Sequence, residues 1–166
     1  MKQFKTLLLI AVVTLGFNSV QAQSKVGHIS IDLLISLMPE TKVMTADLEK
    51  LSKTYETEIK AENDKLQAKL KKYDAEAASQ TDEVNQQRQV EVQQDNQRLQ
   101  QSAQIAQQDI QTKRDEKLKP IIEKARTAIQ EVADADGFTY VLEASSIIVA
   151  NGTDLLPAVK AKLGIQ

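Results

Sequence analysis

The C-terminal stretch FTYVLEASSIIVANGTDLLPAVKAKL, residues 138–163, decides which fold this sequence can adopt. Its first part, FTYVLE, alternates between two faces at period two, as a half-buried strand does. The run SIIVA at 146–150 is almost continuously apolar and predicts a second strand. Asp154 is then expected to cap a short closing helix with Pro157 in its first turn. A plain helical fibre needs neither strand, so we expect a folded β-containing body.

A third strand is predicted near the N-terminus, in the segment KVGHIS at residues 25–30. Side chains in this segment alternate at period two, which is the spacing of a strand with two different faces. Asp32 is expected to cap a short helix, LLISLM, which Pro39 interrupts. The segment therefore predicts a strand followed by a short helix at the entrance to the middle of the chain.

The middle of the chain, from about Glu40 to Ala135, contains no glycine and a single proline, Pro120. Its apolar residues recur at steps of three, four or seven, which places one narrow stripe along a helix. The stripe fades at ASQTDE, residues 78–83, where turn and N-cap residues gather. We therefore expect two helices that fold back as an antiparallel hairpin, each arm about 50–60 Å long.

The second arm carries two features that set it apart from the first. Residues 86–111 are rich in glutamine, and apolar residues keep helical spacing within them, so we expect a loosely packed and mobile helix. Pro120 is expected to kink or restart the arm, because proline removes one backbone hydrogen bond and clashes with the preceding turn.

The resulting fold class is mainly α with a small β body, which residues 23–40 and 118–166 form together, and residues 41–117 form the arm. Three short strands make a poor independent core and leave open edges, so several protomers are expected to share them. The residues predicted to form this oligomerisation body are Val26, Ile29, Ile31, Phe138, Tyr140, Val141, Leu142, Ile147, Ile148 and Val149.

Residues 1–22 have the anatomy of a secretory signal peptide, with a charged start, a short apolar run and a small-residue cleavage site near Ala22. Without Lys2 and Lys5 the chain has 19 basic and 23 acidic residues, a net charge of −4. An acidic chain without a basic patch argues against nucleic-acid binding. The sequence contains no cysteine, so stability is expected to come from packing or oligomerisation.

Residues that carry chemistry are scarce, which argues against an enzyme. His28 is the single histidine and lies on a predicted strand, so a packing role is favoured over catalysis or metal binding. The sequon Asn151-Gly152-Thr153 is read as a turn rather than a glycosylation acceptor. No catalytic residue, metal ligand or cofactor is predicted.

Two segments together resemble the OmpH/Skp family of periplasmic chaperones. They are KVGHISIDLLISLMPETK at 25–42 and KLKPIIEKARTAIQEVADADGFTYVLEASSIIVANGTDLLPAVKAKL at 117–163. The resemblance implies a homotrimer with a central β body and three helical arms around a cavity. It also implies a periplasmic holdase that uses no ATP and binds unfolded outer-membrane β-barrel proteins, so that they do not aggregate.

One property departs from the family, whose well-known members are strongly basic, whereas this mature chain is acidic. A lipopolysaccharide site is therefore not carried over, and membrane contact is left open. Client contacts are expected to be diffuse on the arms, without individually assigned residues. The alternative function is a trimeric coiled-coil envelope scaffold or adaptor without general chaperone activity, and a secreted enzyme is a remote third.

Overall fold

A computed structural model describes residues 24–165 of the chain. Within this range the elements are β1 (Val26–Ile29), α1 (Ile31–Leu37), α2 (Pro39–Glu76), α3 (Asp82–Asp136), β2 (Tyr140–Glu143), β3 (Thr153–Asp154) and α4 (Leu156–Leu163). The predicted signal peptide and its cleavage site lie outside the described residues.

The two long helices form an antiparallel hairpin whose ends are fixed by local chemistry. Helix α2 ends at Glu76, and a single 3₁₀ turn, Ala77–Ser79, leads to α3. Thr81 caps α3, because its hydroxyl accepts a hydrogen bond from the amide of Val84 at 3.3 Å. At the other end Gly137 adopts a φ of 72°, a left-handed conformation that glycine reaches without strain.

The three strands form one parallel sheet in the order β2-β1-β3. Because the hairpin returns the chain to its starting point, strands more than a hundred residues apart in sequence pair along their length. Val26 lies opposite Tyr140, and His28 lies between Leu142 and Asp154. The N-terminal strand β1 therefore lies at the centre of the sheet and pairs with both C-terminal strands.

The core lies where the sheet, α1, α4 and the bases of both long helices meet. Its buried residues are Ile29, Leu34, Met38, Met44, Ile121, Ala125, Ala128, Ile129, Val132, Ala133, Leu155 and Val159. A side chain at Gly27 would not fit, because its Cβ would lie 2.3 Å from Leu155 Cδ1 and 3.0 Å from Phe138. Gly27 therefore allows these two side chains to pack over the central strand.

The predictions for SIIVA and for the cap of α1 are wrong. SIIVA does not form a strand in the described chain; Ala144–Ser146 form a 3₁₀ turn, and the third strand is Thr153–Asp154. Both edges of the four-residue β1 are already paired, by β2 and β3, so no place beside β1 remains for SIIVA. The cap of α1 is Ser30 rather than Asp32, because the Ser30 hydroxyl accepts from the Leu33 amide at 3.3 Å.

Pro120 lies inside α3, which runs without interruption from Asp82 to Asp136. The predicted restart of the helix therefore does not occur, whereas the kink stays a prediction. The glutamine-rich residues 86–111 are helical throughout. At the C-terminus Pro157 lies in the first turn of α4, as predicted. The N-cap of α4 is Leu155 rather than the predicted Asp154, although the Asp154 carboxylate accepts a hydrogen bond from the Leu156 amide at 2.9 Å.

Candidate functional site

The sheet has one covered and one open face. Gly27 and Ile29 are buried beneath the core residues. On the opposite face, Val26, Tyr140 and Leu142 keep 43%, 59% and 45% of their surface exposed. Since large apolar side chains seldom gather on an open sheet surface, this face has the character of an interface.

The loop after β2 adds further exposed apolar residues. Ile148 is fully exposed, and Val149 keeps 68% of its surface in water. We call Val26, Tyr140, Leu142, Ile148 and Val149 the exposed apolar set. These side chains contribute little to the core of a single chain.

The ten residues predicted for the oligomerisation body therefore separate into groups. Ile29 belongs to the buried core of the single chain, and Ile31, Phe138 and Val141 pack against that core. Ile147 is half-buried. The remaining five are the exposed apolar set, which has the largest exposed apolar surface among the ten residues.

A groove of about 670 Å³ lies between the bases of the two long helices. Its apolar lining includes Val43, Met44, Pro120 and Ile121. Lys124 and Lys117 also line the groove. They form ion pairs with Glu40 and, at 2.8 Å, with Asp47.

These two ion pairs change the acid strength of their carboxyl groups. The hydrogen bond from Lys124 lowers the pKa of Glu40, and the hydrogen bond from Lys117 lowers the pKa of Asp47. Both carboxyl groups therefore remain charged at neutral pH, and the pairs hold the two helices together beside the groove.

Further from the sheet, α3 meets α2 along a seam with a seven-residue repeat. Its less exposed residues follow one another at steps of four and three, the spacing of a coiled coil. They are Arg88, Val92, Asp95, Leu99, Ser102, Ala106, Asp109 and Lys113. Half of these seam residues carry a charge, so polar contacts join the arm alongside apolar ones.

The largest polar cluster in the arm surrounds Lys69. Its ammonium group donates to Glu91 Oε1 at 2.6 Å and also to Asp95. The Tyr73 hydroxyl donates to the other oxygen of Glu91 at 2.6 Å. The hydrogen bond from Lys69, followed by that from Tyr73, lowers the pKa of Glu91, whereas hydrogen bonds to Asp95 and Glu91 raise the pKa of Lys69.

Further polar contacts join α2 and α3 elsewhere along the arm. Together with the Lys69 cluster we call them the polar joint. Arg88 donates to Glu76 at 2.6 Å, and its guanidinium group lies 4.4 Å from the centre of the Tyr73 ring, a cation–π contact. Towards the base, Tyr55 donates to Asp109 at 2.9 Å. The polar contacts of the arm therefore lie at two places, and the buried apolar residues Leu66 and Ala106 lie between them.

Metal-ligating side chains do not gather in the described part of the chain. Residues 24–165 contain no group of three or more histidine, cysteine or acidic side chains that could hold a metal ion. His28 lies half-buried on β1. No helix among these residues combines the length and the apolar character that a membrane crossing requires.

Comparison with known protein families agrees with this architecture. The profile of the family described as outer membrane protein (OmpH-like) matches residues 25–163, from the first strand to the end of α4. This chain belongs to the OmpH-like family. The predicted membership of the OmpH/Skp family is therefore confirmed. No curated protein sequence matches the chain.

The fold of the OmpH-like chain is also found in a solved structure. A crystal structure of a Caulobacter crescentus CB15 protein, provisionally assigned as an outer membrane chaperone (OmpH-like), superimposes with a TM-score of 0.76. The two sequences are 22% identical, and the match covers 86% of this chain and 85% of the other. The predicted fold class, a long helical hairpin on a small three-stranded body, is confirmed.

Sequence reasoning missed the polar joint of this OmpH-like arm. Asp95 and Asp109 occupy seam positions, but the predicted stripe was traced through apolar residues alone. Reading the seven-residue repeat through polar residues as well would have placed Arg88, Asp95 and Asp109 on the side that faces α2. The partners Lys69 and Tyr55 could not have been paired with them without the position of the turn.

Proposed function

We propose that this chain is an ATP-independent periplasmic holdase chaperone, which binds unfolded outer-membrane β-barrel proteins between helical arms and prevents their aggregation. The observation that carries the proposal is the arm itself. Beyond Met44 the arm extends for roughly 50 Å, at 1.5 Å per residue, and its outward surface contacts no other element of the described chain. A long projecting surface of this kind suits a large client.

Several copies of the chain are proposed to assemble through the β body, with a homotrimer as the number that the family resemblance implies. The exposed apolar set supports assembly, since its side chains would leave water at a contact between copies. SIIVA is proposed to lie in this contact. Its side chains after Ser146 are apolar, and Ile148 has no packing role within its own chain.

The clients fit the surfaces that the arms offer. An unfolded barrel strand presents alternating apolar side chains and unpaired backbone groups. Arms that make many weak contacts can shield such a strand without imposing a structure on it. The mature chain is acidic, so the proposed binding does not depend on a strong positive field.

Delivery to the periplasm is proposed to follow from residues 1–22, with cleavage near Ala22. Binding by the arms requires neither catalysis nor a cofactor. The scaffold alternative shares the same architecture and is favoured by the acidic charge of the mature chain, because such a chain would not attract acidic clients.

Light scattering tests the proposal directly. A urea-unfolded outer-membrane barrel protein is diluted into buffer with and without the mature chain, in the absence of ATP. We expect the chain to suppress the rise in scattering when its trimer is equimolar with the client. An equal amount of an unrelated acidic protein serves as the control. Unchanged aggregation together with stable capture of one folded envelope protein would favour the scaffold.

A further inference from the structure

The face of α3 that points away from α2 is built almost entirely of glutamine. The seam occupies two positions of each seven-residue repeat, and three other positions lie on the opposite side of the helix. These three positions can be followed from residue 86 to residue 111. One series runs from Gln86 to Gln107, the next from Gln87 to Gln108, and the third from Val90 to Gln111. Every residue in these series is glutamine except Val90, and all of them are exposed. We call this surface the glutamine face.

No charge interrupts the glutamine face. The ionisable residues between 86 and 111 are Arg88, Glu91, Asp95, Arg98 and Asp109, and each lies in the seam or beside it. There they form the polar joint with α2 or pair with one another. Charge in this part of α3 is therefore confined to the side that holds the arm together.

The exposed surface of α2 has a different composition. At the same height along the arm it carries charged residues, among them Glu58, Glu62, Lys71 and Lys72. Charged side chains are the usual means of keeping an exposed helix in solution. If the glutamine face contacted only water, its lack of charged residues would therefore be unexplained.

Glutamine carries the same functional group as the peptide bond. Its side-chain amide offers two donors and one carbonyl acceptor, and it remains neutral at every accessible pH. Within the described residues, the only hydrogen bond from a side chain of the glutamine face joins Gln111 to Asp115 of the same helix, at 3.0 Å. The remaining amides are available to a partner that presents both N–H and C=O groups.

An extended, unpaired polypeptide is such a partner. Its edges present alternating backbone donors and acceptors that no other strand has satisfied. The glutamine face covers 26 residues of helix, about 39 Å at 1.5 Å per residue. A membrane-spanning β-strand of 9–11 residues is about 33 Å long, so one whole strand fits along the face.

We propose that the glutamine face of α3 binds the backbone of extended client segments through amide–peptide hydrogen bonds. This inference rests on the holdase function proposed above and assigns the client contact to one surface. Recognition by backbone groups is independent of side-chain sequence and of client charge. It gives an arm of nearly balanced charge a way to bind clients without electrostatic attraction.

The test compares two fourfold variants of the mature chain with equal net charge. The first variant replaces Gln93, Gln97, Gln100 and Gln104 by alanine, which preserves helix propensity and removes only the amides. The control variant replaces Glu58, Glu62, Lys71 and Lys72 of α2 by alanine; all four are exposed, and no ion pair to them occurs among the described residues. The probe is a urea-unfolded, fluorescently labelled eight-stranded outer-membrane barrel protein, diluted into each variant.

We expect the glutamine variant to raise the client Kd at least about tenfold, from the loss of several hydrogen bonds. The control variant should stay within about twofold of the natural chain, since exposed charges contribute little to binding of this kind. The Kd of the natural chain should also change by less than about threefold between low and high salt, because neutral amides are not screened.

Three outcomes would overturn the inference. Equal binding by the glutamine variant and the natural chain would show that clients bind elsewhere, while the holdase function would stand. A changed native mass of the glutamine variant without client would show that the face contacts a second copy of the chain. Failure of the natural chain to bind the probe would overturn the holdase function and the inference together.

Discussion

The two ends of the hairpin are held together by different forces. At the base, Ile121, Ala125, Ile129 and their neighbours pack against the sheet and α4, and no polar residue among the described ones is buried as a whole. In the arm, Leu66 and Ala106 are the buried apolar residues, and ion pairs and hydrogen bonds also join the two helices. Apolar burial stabilises roughly in proportion to its area, whereas exposed ion pairs contribute little each.

The difference shows that, in this OmpH-like chain, the base is built for stability and the arm can change its conformation. The base resists opening because separation would expose a closely packed core to water. The arm can lose one polar contact at a time, because water replaces each lost hydrogen bond at small net cost. We therefore expect the base to unfold as one unit and the arm to open locally at lower free energy.

The largest expected effect is at the base, where Leu34 is completely buried. Leu34→Ala should lower the free energy of unfolding by about 2–5 kcal/mol, from lost burial and the cavity that remains. Leu66→Ala in the arm is the matched control, because water can enter the joint there. It should speed hydrogen exchange in the arm and leave exchange at the base unchanged. If Leu66→Ala speeded hydrogen exchange equally in the arm and at the base, the two regions would not differ as proposed.

The next effect is expected in the exposed apolar set, through Ile148. Ile148→Asp should leave the folded chain intact, because the side chain is fully exposed in one protomer, and should abolish assembly, since a charge would be buried between copies. Ile148→Val keeps the apolar contact and serves as the control. Light scattering after size exclusion measures both masses, and an unchanged mass for the aspartate variant would refute the shared body.

A smaller, local effect is expected at Lys69. Lys69→Met keeps the length of the side chain but removes the donor that joins Glu91 and Asp95 to α2. Amide hydrogen exchange should become several-fold faster around residues 66–95, while the melting of the base is unchanged. Lys71→Met on the exposed surface is the control. Identical exchange in the two variants would show that the cluster does not hold the arm.

The same cluster predicts a dependence on pH. The hydrogen bond from Lys69, and after it that from Tyr73, lowers the pKa of Glu91 in the folded chain. The contribution of Glu91 to the stability of the arm is therefore fully present at pH values above its ordinary pKa of 4.5. The contribution is lost as pH falls below 4.5 towards the folded pKa, because protonation removes the charge that these donors and the nearby Arg88 stabilise. Spin labels at positions 72 and 93 should report a wider distribution of distances at pH 3 than at pH 7. Glu91→Gln should remove much of this change.

The smallest effect is expected at Pro120, which lies inside the continuous α3. Pro120→Ala restores a backbone donor and relieves the clash with the preceding turn, so the arm should straighten while assembly is preserved. Small-angle X-ray scattering compares the arm angle of the two proteins. Superimposable profiles would show that Pro120 does not set that angle.

Much of the fold could be predicted because its determinants are local. The turn followed from ASQTDE, where Thr81 caps α3, and the end of α3 followed from Gly137. FTYVLE was predicted as a strand from its alternation, and β2 occupies Tyr140–Glu143. SIIVA was misread because a continuous apolar run does not distinguish a strand from an exposed loop of apolar residues.

The candidate surfaces were harder to predict, since they depend on which residues face each other across the hairpin. Lys69 and Glu91 lie on different helices, and only the register of α2 against α3 brings them together. The glutamine-rich segment was visible in the sequence, but its restriction to one face required the seam to be located first. Which members of the β body remain exposed required the complete sheet.

The central claim is that arms on a shared body hold an unfolded client, and native mass in the presence of that client tests it most directly. The mature chain is mixed, without ATP, with a urea-unfolded outer-membrane barrel protein and measured by size exclusion with light scattering. We predict one soluble species whose mass equals three chains plus one client. A bare oligomer, with the client recovered in the precipitate, would contradict the account.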